Sequence, residues 1–361
     1  MDYGAVDGKN ITTIAYCPKW LFDGLQRSEY KELGVEDTVT SRAFELLRRS
    51  DVHVNGGDLN DLSLTLPDGS RLVVQVKTYR VPPSPSALVK LFAHRESSYL
   101  IVTVRPTESL TDAARTGVLN LITLEPASII ISGQDLLPKN QAIAIKAVPI
   151  RQGMPAWGRY ALIRSLLLAS EPLIQKELAE CSGISQPAVV KNLKYLDGLV
   201  ERTSGGWSPT DRNNLMSLLL EKYPGPRGAA TYWYGLDRLH EQVREATKYA
   251  KEMGGEPLVS GDVAADIYAP WRLPDSATLY VRQMVDFSHA GFSPATKDEA
   301  TLISVIPEDQ TLWRTAPDME REGLPLVDPL VTLWELTLSD APDGPEAADH
   351  LKKAILSGTA V

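Results

Sequence analysis

Cysteine is nearly absent: Cys17 and Cys181 are the two in 361 residues, and they share no CxxC spacing. A disulfide scaffold and a cysteine zinc site are therefore not expected, and a reducing cytoplasm is the expected setting. Histidine is scarce as well. His53, His94, His240, His289 and His350 form no H-x-x-x-H or His/Cys metal spacing. The glycine signatures GxGxxG, GxxxxGK[ST] and GxSxG are missing, which argues against hydride transfer, P-loop hydrolysis and ordinary esterase chemistry. Long apolar runs are missing too. Ile129–Ile131 and Leu166–Leu168, with their neighbours, fall far short of the roughly 18 residues that span a bilayer. Met1-Asp2-Tyr3-Gly4 has no basic flank leading into an apolar stretch, so no secretory signal and no membrane partner are expected.

What is present is ordinary for a soluble globular protein: 43% hydrophobic and 23% charged residues. A chain of this length is expected to hold more than one domain. The formal net charge of −9 is unevenly distributed. Residues 1–150 carry about −1, 151–210 about +2 and 211–361 about −10. The middle segment alone is locally basic, as a surface that meets phosphates would be.

In the first segment, Ser41–Ser50 reads as an amphipathic helix with Phe44, Leu46 and Leu47 inward. Asp61–Leu66 and Arg71–Lys77 alternate in polarity across Pro67-Asp68-Gly69-Ser70, which predicts a hairpin. Further elements follow: a helix near Ser86–Ala93, a strand Tyr99–Val104, a helix Leu110–Thr116 and a strand Leu119–Leu124. Their order predicts a mixed sheet covered by helices. Asp61 opens the first hairpin strand, while Gln75 and Lys77 share one face of the second. Such a group suits phosphodiester hydrolysis. Asp61 and Gln75 would hold Mg²⁺, and Lys77 would orient or help deprotonate the attacking water.

With Gln75-Val76-Lys77 in place of E-x-K, roughly residues 36–130 resemble the Mrr-like branch of the PD-(D/E)XK restriction-endonuclease-like family. That resemblance implies a Mg²⁺-dependent DNA endonuclease fold, with Asp61, Gln75 and Lys77 catalytic. It adds Glu45, on the preceding helix, to Asp61 and Gln75 as metal ligands.

Residues 127–155 hold Gly133, Pro138, Pro149, Gly153 and Pro155 and read as the region of a linker. Three helices are then predicted: Trp157–Ala169, Leu173–Cys181 and Gln186–Leu199. Gly183-Ile184-Ser185 forms the tight turn, with Ser185 as N-cap and Pro187 in the first turn. Val189, Leu193 and Leu196 fall inward, leaving Gln186, Lys191, Lys194 and Tyr195 outward. Val200–Thr203 and Ser204–Thr210 read as a hairpin with a glycine tip that carries Arg202. This stretch, roughly 157–212, resembles MarR- or IclR-like winged helix-turn-helix domains. The implied contacts begin with Ser185 capping the helix that enters the major groove. Gln186 and Lys191 would meet base edges, and Lys194, Tyr195 and Arg202 the backbone.

The remainder reads as α+β: helices Leu236–Met253, Asp262–Tyr268, Asp328–Leu338 and Pro345–Leu356, with strands Pro257–Ser260, Thr278–Val281 and Ala300–Val305. The phrases Gly261-Asp-Val-Ala-Ala-Asp-Ile-Tyr-Ala-Pro-Trp271, Leu324-Pro-Leu-Val-Asp-Pro329 and Glu346-Ala-Ala348 resemble the AbiEi antitoxin-like transcriptional regulators over about 157–356. Asp262 and Asp266, four apart on a helix, do not make the D-x-D of a nucleotidyltransferase and read as helix-start and surface charges.

The expected architecture is thus α/β plus α+β in three domains. A restriction-endonuclease-like mixed sheet occupies 1–150, a winged helix-turn-helix 151–220 and an α+β domain 221–361. The expected function is a DNA-binding transcriptional regulator, with double-stranded DNA, a homodimer and a toxin as partners. The alternatives are a Mg²⁺-dependent endonuclease directed by the winged helix, and a pure protein-interaction module.

Overall fold

A computed structural model describes residues 39–92, 98–137, 155–316, 319–339 and 341–360. Cys17 and most of the expected linker, 138–154, lie outside them. The chain is a mixed α/β protein. No helix among the described residues is long and apolar enough to cross a membrane.

Seven strands in chain order form the first sheet: β1 (His53–Gly57), β2 (Asp61–Thr65), β3 (Arg71–Tyr79), β4 (Tyr99–Thr103), β5 (Asn120–Leu124), β6 (Ala127–Ile131) and β7 (Gln134–Asp135). β1, β2 and β3 are antiparallel, β3, β4 and β5 parallel, and β5, β6 and β7 antiparallel again. Both parallel steps need a crossover, supplied by α2 (Pro85–Phe92) and α3 (Glu108–Arg115).

Alternation along the strands sorts two faces. Val74, Val76, Leu100, Val102, Ile122 and Leu124 meet Phe44, Leu46 and Leu47 of α1 (Val39–Arg49). Tyr99, Ile101, Leu121 and Ile130 meet Leu88 of α2 and Leu110 and Ala114 of α3. β4 is buried at all five positions because helices cover both its faces.

β6 and β7 fall within the stretch that reads as linker. The apolar run Ser128-Ile-Ile-Ile131 has strand character, and Ser132 (φ 51°) and Gly133 (φ 80°) form the two-residue turn of a tight hairpin. β1 is likewise not announced by the sequence, because Gly56 and Gly57 look like a break; the strand carries an irregularity between Val54 and Gly56.

In the middle segment α4 (Trp157–Leu168), α5 (Gln175–Ser182) and α6 (Gln186–Tyr195) precede the hairpin β8 (Val200–Arg202) and β9 (Trp207–Pro209). A backbone bridge ties Leu173 to Trp207, with N–H···O distances of 3.0 and 2.8 Å. α6 ends four residues earlier than the spacing predicts. The fully buried Leu196 forms its C-cap, and Gly198 takes φ 81° just beyond. α7 (Arg212–Lys222) then follows, capped by Asp211, which accepts from Asn213 and Asn214 at 2.7 and 3.2 Å.

The second sheet has the order β11 (Leu258–Ser260), β12 (Ala277–Tyr280), β14 (Leu302–Ile306), β10 (Ala229–Tyr234) and β13 (Ser293–Pro294). β12 and β14 run parallel and the other pairs antiparallel. α8 (Leu239–Glu252), α9 (Gly261–Tyr268), α11 (Pro329–Thr337) and α12 (Gly344–Ser357) pack around it, and α1 of the first segment reaches β10. Buried apolar side chains run continuously from Val39 through the middle helices to Ala360.

Candidate nucleic-acid interface

α6 exists as a helix because its inward residues, Val189 and Leu193, are removed from water, along with the Leu196 that follows. Burial of that kind contributes roughly 1.5–3 kcal/mol per side chain. Its entry is set by Gly183, which closes α5 in the left-handed region (φ 67°), and by Ser185, whose hydroxyl accepts from the Ala188 N–H at 3.4 Å.

That packing leaves Gln186, Lys191, Lys194 and Tyr195 exposed on one side, together with Ser185 at the cap and Arg202 on β8. Each remains open to solvent, and one of them, Tyr195, has a side chain of α4 over its ring. Lys191, Lys194 and Arg202 have no carboxylate within 4 Å there. Such unpaired cations keep their donors for an outside acceptor.

Tyr195 is held in place by Arg159 of α4. The guanidinium carbon lies 3.7 Å from the ring centroid, and Nε donates to Asn192 Oδ1 at 3.0 Å. Asn192 in turn donates to the Ala188 carbonyl at 3.0 Å. Sequence reasoning misses Arg159, since a residue near the start of α4 gives no sign that it lies over the end of α6.

The trio is anchored below by a buried charge cluster. Arg164 of α4 is fully buried between Asp309 and Asp328, at 3.2 and 3.1 Å, and donates to Thr311 at 2.9 Å. Asp309 also accepts from the Tyr223 hydroxyl at 2.8 Å. Asp328 caps α11 by accepting from Leu330 and Val331 (3.1 and 3.3 Å) and takes a further bond from Thr315 at 2.6 Å. Burial works against the Arg164 charge, but the two aspartates outweigh it and hold its pKa above the ordinary value. Burial pushes the Asp328 carboxyl up despite Arg164 and its donors. Burial and the neighbouring Asp309 raise the Tyr223 phenol well above its usual range.

The first-sheet group is differently arranged. Asp61 and Gln75 are direct cross-strand partners, and Lys77 follows on the same face of β3. Asp61 is exposed, and Gln75 and Lys77 are half-buried. Glu45 is not brought to them. α1 packs on the opposite, Val74–Val76 face, and its Glu45 carboxylate binds Arg48 at 3.0 Å and Arg49 at 2.6 Å. Burial raises the Glu45 pKa, but those two arginines together bring it below the usual value. Asp58 holds the turn before β2, accepting from the Asn60 and Asp61 N–H groups at 2.7 and 2.9 Å.

Among the described residues no three His, Cys, Asp or Glu side chains gather so as to hold a metal. One carboxylate and one neutral amide make a poor donor set for Mg²⁺, which favours charged oxygen ligands in near-octahedral order. The hairpin therefore does not fit the ion.

Asp262 stands in the first turn of α9 as expected, but neither it nor Asp266 is an open surface charge: their side chains are 12% and 28% exposed. Asp262 binds Arg272 at 2.8 Å, and Asp266 lies 3.5 Å from His240. No family model matches the chain, and no curated protein or solved structure matches it.

Proposed function

We propose that the chain is a double-stranded-DNA-binding regulator whose middle segment is a winged helix-turn-helix. In this reading α6 enters the major groove. Gln186 and Lys191 approach base edges there, while Lys194, Tyr195 and Arg202 meet the sugar–phosphate backbone. The observation that carries the reading is the bare outer face of α6: cations without carboxylate partners, a glutamine and a fixed aromatic on a helix whose inner face is fully packed. A protein-docking helix would instead be expected to show a larger apolar patch there. The apolar residues exposed on α6, Pro187, Val190 and Tyr195, are interspersed with its lysines and Gln186.

The first sheet, with its αβββ start and parallel central strands, is read as a restriction-endonuclease-like unit without a metal centre. The C-terminal α+β unit is read as the part that holds the reader in place. The AbiEi-like resemblance makes a regulator of a toxin–antitoxin kind the specific form of this proposal, with a homodimer and a toxin as its protein partners.

The test is duplex binding by fluorescence anisotropy at two salt concentrations. Lys191→Ala with Lys194→Ala weakens binding, and the slope of log K against log salt becomes shallower by roughly 1, about 0.9 for the phosphate that Lys194 no longer neutralises. Unchanged affinity and slope would overturn the reading.

A further inference from the structure

The turn between α5 and α6 is not flanked by the middle segment alone. α10 (Leu312–Thr315), from the C-terminal segment, packs against α4 and α5. It is fastened from below: Thr311 takes a bond from buried Arg164 at 2.9 Å, Thr315 donates to Asp328 at 2.6 Å, and Leu312 is fully buried. That fixed backbone presents Arg314 outward. Its Cγ lies 3.4 Å from the point where a Cβ on Gly183 would stand, two residues before the Ser185 cap.

A cleft of about 470 Å³ opens at this spot, lined by Gly183, Arg282, Gln310, Thr311, Trp313 and Arg314. The two arginines are unlike each other. Arg282 is held by Glu256 at 2.6 Å and Gln310 at 3.2 Å, and lies 4.3 Å over the Trp313 ring. Arg314 is exposed, and no carboxylate among the described residues comes within 4 Å of it. Among the described residues its guanidinium has donors to offer and no side chain that takes them.

We propose that Arg314 grips a backbone phosphate of bound DNA beside the α5–α6 turn, so that the C-terminal segment supplies part of the duplex interface. The inference rests on the reading of α6 as the groove-entering helix. With the α6 N-terminus in a major groove roughly 12 Å wide, a long side chain flanking that end faces the phosphate wall. The guanidinium fork matches phosphate oxygens in a bidentate manner. The contact positions the protein and carries no sequence information of its own.

The experiment compares full-length wild type, Arg314→Ala, Arg314→Lys and the Lys191→Ala/Lys194→Ala pair. Each is titrated onto a short random-sequence duplex across a salt series, after thermal melts establish that each variant is folded. Arg314→Ala is expected to lose about three- to tenfold in affinity at low salt, with a log–log slope shallower by about 0.9. Arg314→Lys keeps the slope, because the charge remains, and loses less affinity. If Arg314→Ala matches wild type in affinity and slope while the lysine pair is weakened, the Arg314 contact is overturned and the α6 reading stands. If the lysine pair also matches wild type, the α6 reading fails and the Arg314 proposal fails with it.

Discussion

At the scale of single residues, the side chain that organises the molecule is Arg164. It joins a helix of the middle segment to Asp309 and Asp328 of the C-terminal one, all three fully buried. Taking away one partner of such a cluster strands the others without solvent. Arg164→Ala is therefore expected to lower unfolding stability by about 3–5 kcal/mol, read from urea melts. Arg164→Met should be no gentler, since both aspartates remain.

Glu45 gives the opposite case. Its pairs with Arg48 and Arg49 are partly exposed, so solvent screening keeps their combined effect below about 1 kcal/mol. Because its folded pKa is depressed, that stabilisation is present above the unfolded value of 4.5 and fades as pH falls through the lower folded value. Glu45→Gln should thus destabilise slightly at pH 7 and be indistinguishable from wild type in strong acid.

Neither role is legible in the chain. Arg164 stands in Ala161-Leu-Ile-Arg-Ser-Leu-Leu-Leu168, where a lone arginine reads as the polar stripe of a helix. Its partner Asp309 lies 145 positions away. Glu45 takes its expected ligand role from resemblance, and helix phase alone does not tell which face of the sheet it covers.

Among the elements, those with local signals are readable and those fixed by distant pairing are not. Gly183 with Ser185 and Pro187 announces the α5–α6 turn, and the Gly205-Gly206 tip announces β8–β9; both are present within a few residues of expectation. The strand β10, Ala229–Tyr234, escapes a reading of the sequence although it pairs with both β14 and β13. It follows Pro224-Gly-Pro-Arg-Gly228, a run dominated by breaker residues, and its strand state depends on partners far downstream, at Ser293–Pro294 and Leu302–Ile306.

The same run contains a position with a strict requirement. Gly225 takes φ 75°, and a Cβ there would come within 2.1 Å of Trp334, whose indole N–H bonds the Tyr223 carbonyl at 3.0 Å. Gly225→Ala combines left-handed strain with overpacking and is expected to cost about 2–5 kcal/mol, measured by chemical denaturation.

For the whole molecule, the charge distribution divides the chain into segments, whereas the packing joins them. The C-terminal segment holds most of the negative excess, yet its junction with the middle helices is built from buried ion pairs and from Trp157, Tyr160 and Trp334 set edge-on around Tyr223. The apolar core is continuous across all three segments. Tryptophan fluorescence and far-ultraviolet circular dichroism are therefore expected to trace one coincident unfolding transition; two separated transitions would show that the segments are energetically independent. The hairpin carrying Asp61, Gln75 and Lys77 predicts no metal-dependent cleavage. Plasmid incubated with Mg²⁺ should remain as intact with wild type as with Lys77→Ala.

The central claim is that the outer face of α6 lies against a duplex. A photo-cross-linking amino acid placed at Gln186, irradiated on a bound duplex, tests it most directly. Covalent DNA adducts should form from position 186 and be absent when the same group replaces Val73, which is also open to solvent but on the first sheet. Adducts from Val73 with none from Gln186 would contradict the account.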